Sequence, residues 1–347
     1  MKLGISSFGE VAPSHLPGLD RAAARRMQEL LEIGRLTDAV GLDVLALGEH
    51  HRPDYVISAP EVVLAAVAAQ TKNIRLSSAV TVLSSVDPVR TFQNFATVDL
   101  ISEGRAEILA GRGSFIESFP LFGQDLKDYD SLFIEKLKLL LEINKNEVVS
   151  WKGKHRPDIN AKGVYPRPLQ PALPVWIGVG GTPASVVRAG QLGLPLTIAI
   201  LGGAPAQYVA FTDLYRQAYR EAGHDEAQQQ IAINCHFHIA EDSQQASDEF
   251  FPPYSAIMNR IGRERGWSPM SRQQFEYLRG PQGPLFVGSP QEIIDKLLYI
   301  SGLFKNTRYL AQLVLGDIAP EKVLRSIELF GKVVAPAVRE KLRLAAV

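Results

Sequence analysis

The chain reads as a (β/α)₈ barrel. Short apolar runs alternate with longer segments of helical period along almost its whole length, and eight such runs can be counted. Eight strands interleaved with helices favour a barrel over a doubly wound sheet, which usually has about five or six. The 347 residues show no internal repeat and no boundary between two domains, and barrels of about 250 residues commonly carry insertions.

The first half alternates cleanly. Candidate strands are Leu3–Ser7, Val44–Leu47, Ile74–Val82 and Ala106–Ala110. Between them Met27–Val40 places Leu30, Leu31, Ile33, Leu36 and Val40 near the helical spacing, and Pro60–Gln70 and Val89–Ile101 behave similarly. Helix Tyr129–Asn144 is followed by a polar, proline-rich passage with a small hairpin around Trp151-Lys152-Gly153-Lys154. Strand Val175–Val179 then leads to helix Pro183–Leu192, strand Leu196–Leu201 to helix Pro205–Ala222, and strand Ile231–Ile239 to a helix near Gln244–Asn259. Residues 261–287 show no clear period. Ser289-Pro290-Gln291-Glu292 then opens a helix with a polar cap and proline in the first turn, and strand Arg308–Leu315 and helix Pro320–Val334 complete the set. The chain is therefore read as one domain, 1–347, with insertion segments near 113–128, 146–174 and 261–287.

Lysine plus arginine equals aspartate plus glutamate at 37 each, which leaves no net field to attract nucleic acid or an anionic membrane. A small-molecule ligand is the better expectation. Cys235 is the only cysteine, so neither an intrachain disulfide nor a cysteine-based zinc site can form. The amino terminus lacks the apolar stretch of a secretion signal, and no apolar run approaches the ~20 residues that span a bilayer. These features predict a cytoplasmic protein.

Three constellations carry chemistry. Glu49-His50-His51 ends the run Val44–Leu47, and the carboxyl end of a parallel strand is where barrel loops gather around ligands. Adjacent strand residues face opposite ways, so only one of His50 and His51 faces the barrel mouth, which argues against a shared metal. The bland alternative is a hydrogen-bonded packing histidine. Second, Gly180-Gly181-Thr182-Pro183-Ala184-Ser185 offers backbone amides, a cap at Thr182 and a hydroxyl one turn in, a setting suited to phosphate; it also reads as a well-capped turn. Third, Gly111-Arg112-Gly113-Ser114-Phe115 supplies a planar guanidinium for phosphate, or for a neighbouring carboxylate. The second and third follow successive strands, five and four, away from the usual barrel phosphate position near strands seven and eight. His236 and His238 share a strand face, but no spaced carboxylate or cysteine accompanies them, and no metal is expected. No Gly-x-Ser-x-Gly elbow supports a serine hydrolase.

Taken together, these residues resemble the bacterial luciferase-like flavin monooxygenase family. The match runs through Leu47-Gly48-Glu49-His50-His51, Ala79-Val80-Thr81-Val82-Leu83, Asp87-Pro88-Val89-Arg90 and Ile101-Ser102-Glu103-Gly104-Arg105. It continues through Gly111-Arg112-Gly113, Phe122-Gly123, Gly180-Gly181-Thr182-Pro183 and Val287-Gly288-Ser289-Pro290-Gln291-Glu292. The order and spacing are specific where single motifs are weak.

The resemblance implies a barrel that binds reduced flavin mononucleotide (FMN) at the carboxyl ends of its strands. His50 matches the family's catalytic histidine, expected to orient the oxygenated flavin or exchange a proton with it, since imidazole titrates near working pH. Ala79-Val80 falls where the family often has a non-proline cis peptide beneath the flavin ring. Arg112 and the Gly181, Thr182 and Ser185 cluster match positions that hold the flavin phosphate, with Gly113, Ser114, Phe115 and Gly180 beside the cofactor. Luciferase's own reactive cysteine position is occupied here by Gly111, so light emission with aldehyde is not implied. The activity implied is monooxygenation of a small organic substrate through a flavin 4a-hydroperoxide. Reduced FMN would come from a separate NAD(P)H-dependent flavin reductase, a transient partner. A deazaflavin-dependent dehydrogenase or reductase is the alternative branch, and a non-catalytic flavin-binding protein a third reading. The resemblance also implies a homodimer packing through Pro60–Gln70 and Val89–Ile101. The 113–128 and 261–287 segments are expected to cover the site and set specificity, or to form oligomer contacts.

Overall fold

The computed structural model describes residues 1–11 and 19–345; His15 lies outside them. Eight parallel strands close into a barrel: β1 Lys2–Ser7, β2 Val44–Leu47, β3 Arg75–Ser78, β4 Ala106–Gly111, β5 Val175–Val179, β6 Leu196–Ala199, β7 Ile231–Ile239 and β8 Arg308–Leu313. Each pairs with the next, and β8 returns to β1 in the register Gly4↔Leu310 and Ser6↔Gln312. The strands are buried on both faces, as helix-covered parallel strands must be.

Three differences from the sequence expectation have physical causes. The single strand expected over 74–82 is two, Arg75–Ser78 and Thr81–Val82, separated by a cis Ala79–Val80 peptide. Ser77 pairs with Glu107 but Thr81 with Ala110, so four steps along β3 match three along β4, and the β-branched composition cannot reveal that extra residue. Residues 261–287, which lack a visible period, hold the end of helix Ser243–Arg265, helix Arg272–Leu278 and the strand Phe286–Gly288 beside β7. Elements this short show no repeat. The first helix starts at Leu19 rather than Met27, because its opening turns carry few apolar side chains to mark a buried face. The hairpin around Trp151–Lys154 is present as Val148–Trp151 against Ile159–Gly163.

Inward-facing residues decide where the barrel is full and where it is hollow. At the amino-terminal end Glu107 pairs with Arg308 and, at 3.0 Å, with Arg75, while the Arg308 guanidinium lies 4.1 Å from the centre of the Trp176 ring. Burial alone would raise the Glu107 carboxyl, but the two arginines hold it below the ordinary range. The next layer is apolar, with Val44, Ala46 and Leu310 in one buried cluster and Leu109, Trp176 and Ala232 in another. Two residues further along, β4 and β5 place Gly111 and Gly178 inward, and β6 ends in the small Ala199, so side-chain volume falls and a cavity opens at the carboxyl ends.

Candidate active site

The cavity holds about 490 Å³. On the β2 side Gly48 lets the Phe8 ring close over the strand, since a Cβ at 48 would stand 2.2 Å from that ring. Phe8 stacks on His50 at 4.4 Å between ring centres, and Tyr55 and Phe115 meet His50 edge-on at 4.5 and 4.7 Å. This aromatic surround desolvates the imidazole and, with the Arg52 and His51 charges, pushes its pKa down to about 3. His50 is therefore neutral across working pH, which corrects the expectation that it titrates there.

His50 and His51 lie just past the end of β2 and part to different surroundings. His50 lines the cavity, whereas His51 Nε2 meets Glu49 Oε1 at 2.7 Å. The other oxygen of Glu49 accepts the Val82 N–H at 2.9 Å, so one buried carboxylate ties β2 to the chain just past Ala79–Val80. Val80 projects between two glycines: a Cβ at Gly111 would lie 2.6 Å from Val80 Cγ2, and one at Gly178 would lie 2.7 Å from its Cγ1. The glycine at 111 thus has a steric cause in this chain.

The two glycine-flanked loops after β4 and β5 converge because those strands are paired. Arg112 Nη2 donates to Thr182 Oγ1 at 2.9 Å, and its Nη1 to Asp130 at 2.6 Å. Of the two sequence readings of Arg112, the pair with a carboxylate is present, and the guanidinium also reaches the Thr182 turn. Asp130 is exposed, which makes that pair worth about 0.5 kcal/mol and easily exchanged. Thr182 occupies the cap position of helix Pro183–Gln191 but its side chain does not cap. In the first turn the Ser185 N–H donates to the Thr182 carbonyl at 3.0 Å and Pro183 has no N–H, which leaves the Ala184 amide without a backbone acceptor, and a Cβ at Gly180 or Gly181 would meet nothing within 4 Å. Ser185 Oγ, in a residue 3 % exposed, has no hydrogen-bond partner, and neither does buried Nη1 of Arg188 one turn on.

The opposite wall is polar at its base. Ser6 Oγ donates to Asn234 Oδ1 at 2.7 Å, and Asn234 Nδ2 donates to Gln312 Oε1 at 2.7 Å. Thr197, Asn234 and Gln312 all line the cavity. Sequence reasoning missed these residues, together with Phe8 and Tyr129. The available signal was strand alternation, because Thr197, Asn234 and Gln312 occupy inward positions in otherwise apolar runs.

Of the residues singled out from sequence, His50, Ala79, Val80, Arg112, Gly113, Ser114, Gly180, Gly181 and Thr182 line this one cavity. Phe115 and Ser185 stand behind its wall: Phe115 packs on His50 and under the Arg52 guanidinium, 4.5 Å from its ring centre, and Ser185 is buried in the first helical turn. His236 and His238 have separate surroundings, an edge-on contact with Tyr254 and a 2.9 Å bond to Glu249. No metal-ligating cluster occurs among the described residues.

Comparison with known proteins agrees with this geometry. The profile of the luciferase-like monooxygenase family matches residues 1–304. The chain is 26% identical over 351 residues to 4-hydroxyprotoasukamycin monooxygenase of Streptomyces nodosus, covering 95% of this chain and 91% of that protein. Its fold matches the monooxygenase RslO1 from Streptomyces bottropensis with a TM-score of 0.84 at 24% identity, over 97% and 99% of the two chains. The oxygenating constituent of 3,6-diketocamphane monooxygenase from Pseudomonas putida, solved with FMN, matches with a TM-score of 0.75 at 20% identity over 97% and 98%. An F420-dependent secondary alcohol dehydrogenase matches with 0.73 at 17% identity over 97% and 99%. A family match over most of the sequence, on a closed (β/α)₈ barrel, makes this chain an oxidoreductase of the luciferase-like monooxygenase family.

Proposed function

We propose that the protein is a cytoplasmic monooxygenase that uses reduced FMN and molecular oxygen to oxygenate a small organic substrate. The observation that carries this reading is the pairing, in one cavity, of an anion cradle with a dry apolar wall. The cradle combines Arg112, the open glycine turn Gly180-Gly181 and the free Ala184 amide, with the unpartnered Ser185 hydroxyl buried just behind them, a donor set suited to a phosphate group. The wall of Phe8, Val80, Leu109 and Leu310 suits a flat ring and excludes water. When bound, the flavin supplies the redox chemistry, activating dioxygen and delivering one of its atoms.

The residues of the chain place and shield. Neutral His50, held by Phe8 and Tyr55, offers a hydrogen bond to the reacting group rather than a charge. Glu49 fixes the segment after Ala79–Val80 through the Val82 amide. A separate NAD(P)H-dependent reductase would deliver reduced flavin through the open mouth. Exposed Val62, Leu100 and Ile101, on helices Pro60–Ala68 and Pro88–Ile101, support a homodimer contact.

Flavin titration followed by oxygen uptake in the presence of candidate substrates tests the proposal. A His50→Asn protein should bind FMN normally and lose oxygenation; wild-type turnover in that variant would remove His50 from the mechanism. A deazaflavin-dependent dehydrogenase is the second reading, favoured by the likeness to the F420-dependent alcohol dehydrogenase. Tight deazaflavin binding, with hydride transfer and no oxygen uptake, would select it.

A further inference from the structure

A second cavity of about 270 Å³ adjoins the first, with Leu201 forming part of both walls. Its lining comes from the loop after β6, from helices Ser243–Arg265 and Arg272–Leu278 and from the segment between them, chiefly Leu201, Tyr254, Met258, Trp267, Met270 and Leu278. No ionised side chain lines it; the polar groups are the neutral side chains of Ser268 and Gln274 and the Tyr254 hydroxyl. Leu201 and Trp267 stand 41% and 49% exposed, a large apolar rim left open to solvent beside the mouth of the larger cavity. Behind it, Tyr254 is fixed among Phe250, Phe275 and His236, so this side of the pocket is rigid, whereas the two methionines are adaptable.

We propose that this second cavity seats the apolar arm of the substrate. The reacting end lies in the larger cavity near His50, and the chain or ring system crosses Leu201 into the methionine and aromatic pocket. The substrate class is then a neutral, extended molecule, aromatic or aliphatic. An ionised arm would lose its hydration there without gaining a charged partner. Ser268 and Gln274 fit a carbonyl or hydroxyl near its far end. This proposal rests on the larger cavity being the flavin site, and it explains what the 261–287 segment contributes: the far wall of a substrate pocket.

The probe for the test is N-phenyl-1-naphthylamine, a neutral apolar dye that fluoresces when shielded from water. Wild-type protein should bind it both alone and saturated with oxidised FMN, with energy transfer from dye to flavin in the loaded protein. Met258→Trp and Leu278→Trp fill the second cavity from two different helices. Each should weaken dye binding at least about tenfold, as expected when roughly 60 Å² of apolar contact is displaced. FMN affinity, read in the same samples, should stay within about twofold, and so also reports that both variants fold. Unchanged dye affinity in both variants, or complete displacement of the dye by FMN, would overturn the proposal. A wild-type protein that takes up no flavin would instead defeat the flavin reading, and the two variants would still decide whether the second cavity binds apolar ligands.

Discussion

Replacing Gly178 by alanine puts a methyl group where Val80 already stands. Its Cβ would lie 2.7 Å from Val80 Cγ1, while the next neighbours, Ala110 O and Leu109 Cδ1, are both a comfortable 3.7 Å away. Carbon atoms prefer a separation of roughly 3.5–4 Å, so a single contact about 1 Å too short carries the whole penalty. Overpacking of this kind costs about 1–3 kcal/mol, and the β-branched Val80 has few alternative rotamers with which to escape. Val80→Ala removes the offending atom, so Gly178→Ala should be nearly neutral in that background, with a coupling energy of about 1 kcal/mol or more. Gly111→Ala should behave differently. Its Cβ would lie 2.6 Å from Val80 Cγ2 but also 2.9 Å from Val80 Cβ, which Val80→Ala retains, so rescue there should be partial. Urea unfolding of the wild type, the three single variants and the two doubles measures this directly. Equal destabilisation by Gly178→Ala in both backgrounds would refute the wedge of Val80 between two glycines.

Three further outcomes follow from the site. Arg112→Ala should weaken FMN binding about 10- to 100-fold, the loss of charge-assisted hydrogen bonds, while leaving riboflavin affinity unchanged; equal losses for both ligands in fluorescence titrations would take Arg112 off the phosphate. Glu49→Ala should cost about 1–3 kcal/mol in urea unfolding by stranding the Val82 amide, and Glu49→Gln, which keeps an acceptor, should cost less; the reverse order would contradict that role. Stability should also respond to pH in two opposed ways. His50, at about 3, and His236, at about 4, lie below the ordinary 6.5, so as pH falls from 6.5 the unfolded chain takes up protons that the folded one refuses, and stability drops. Buried Glu10, raised to about 7 from 4.5 chiefly by desolvation, favours protonation in the fold and adds stability as pH falls from 7 to 4.5. Glu10→Gln should therefore steepen the acid-side decline and His50→Asn should flatten it, each by up to about 1.4 kcal/mol per pH unit; parallel curves for all three proteins would refute this assignment.

Most of the barrel was legible because buried parallel strands read as apolar runs and their helices as amphipathic segments. Val44–Leu47, Val175–Val179 and Ile231–Ile239 have the expected bounds. What stayed hidden was register. The extra residue at Ala79–Val80, the three-residue strand Phe286–Gly288 and the seven-residue helix Arg272–Leu278 are each too short to produce a period. At the site, loop residues rich in glycine and arginine announced themselves, whereas Thr197, Asn234 and Gln312 did not. A polar residue in a mainly apolar strand gains its meaning once closure shows which neighbours share its side of the sheet. Phe8 illustrates the same limit: its importance comes from ring stacking, a product of tertiary structure.

The double engagement of Glu49 bears on where hydrogen ions come from. Among the described residues lining the larger cavity, the ionisable side chains are Glu49, His50, Arg112 and Tyr129. Both oxygens of Glu49 are occupied, the imidazole stays neutral down to about pH 3, the guanidinium faces the cradle, and the Tyr129 hydroxyl donates to the Gly113 carbonyl at 3.0 Å. On the proposed flavin reading, the wall keeps no acid of its own in reserve: it would work as an insulator, with any acid the chemistry consumes carried in by water or by the bound molecules themselves.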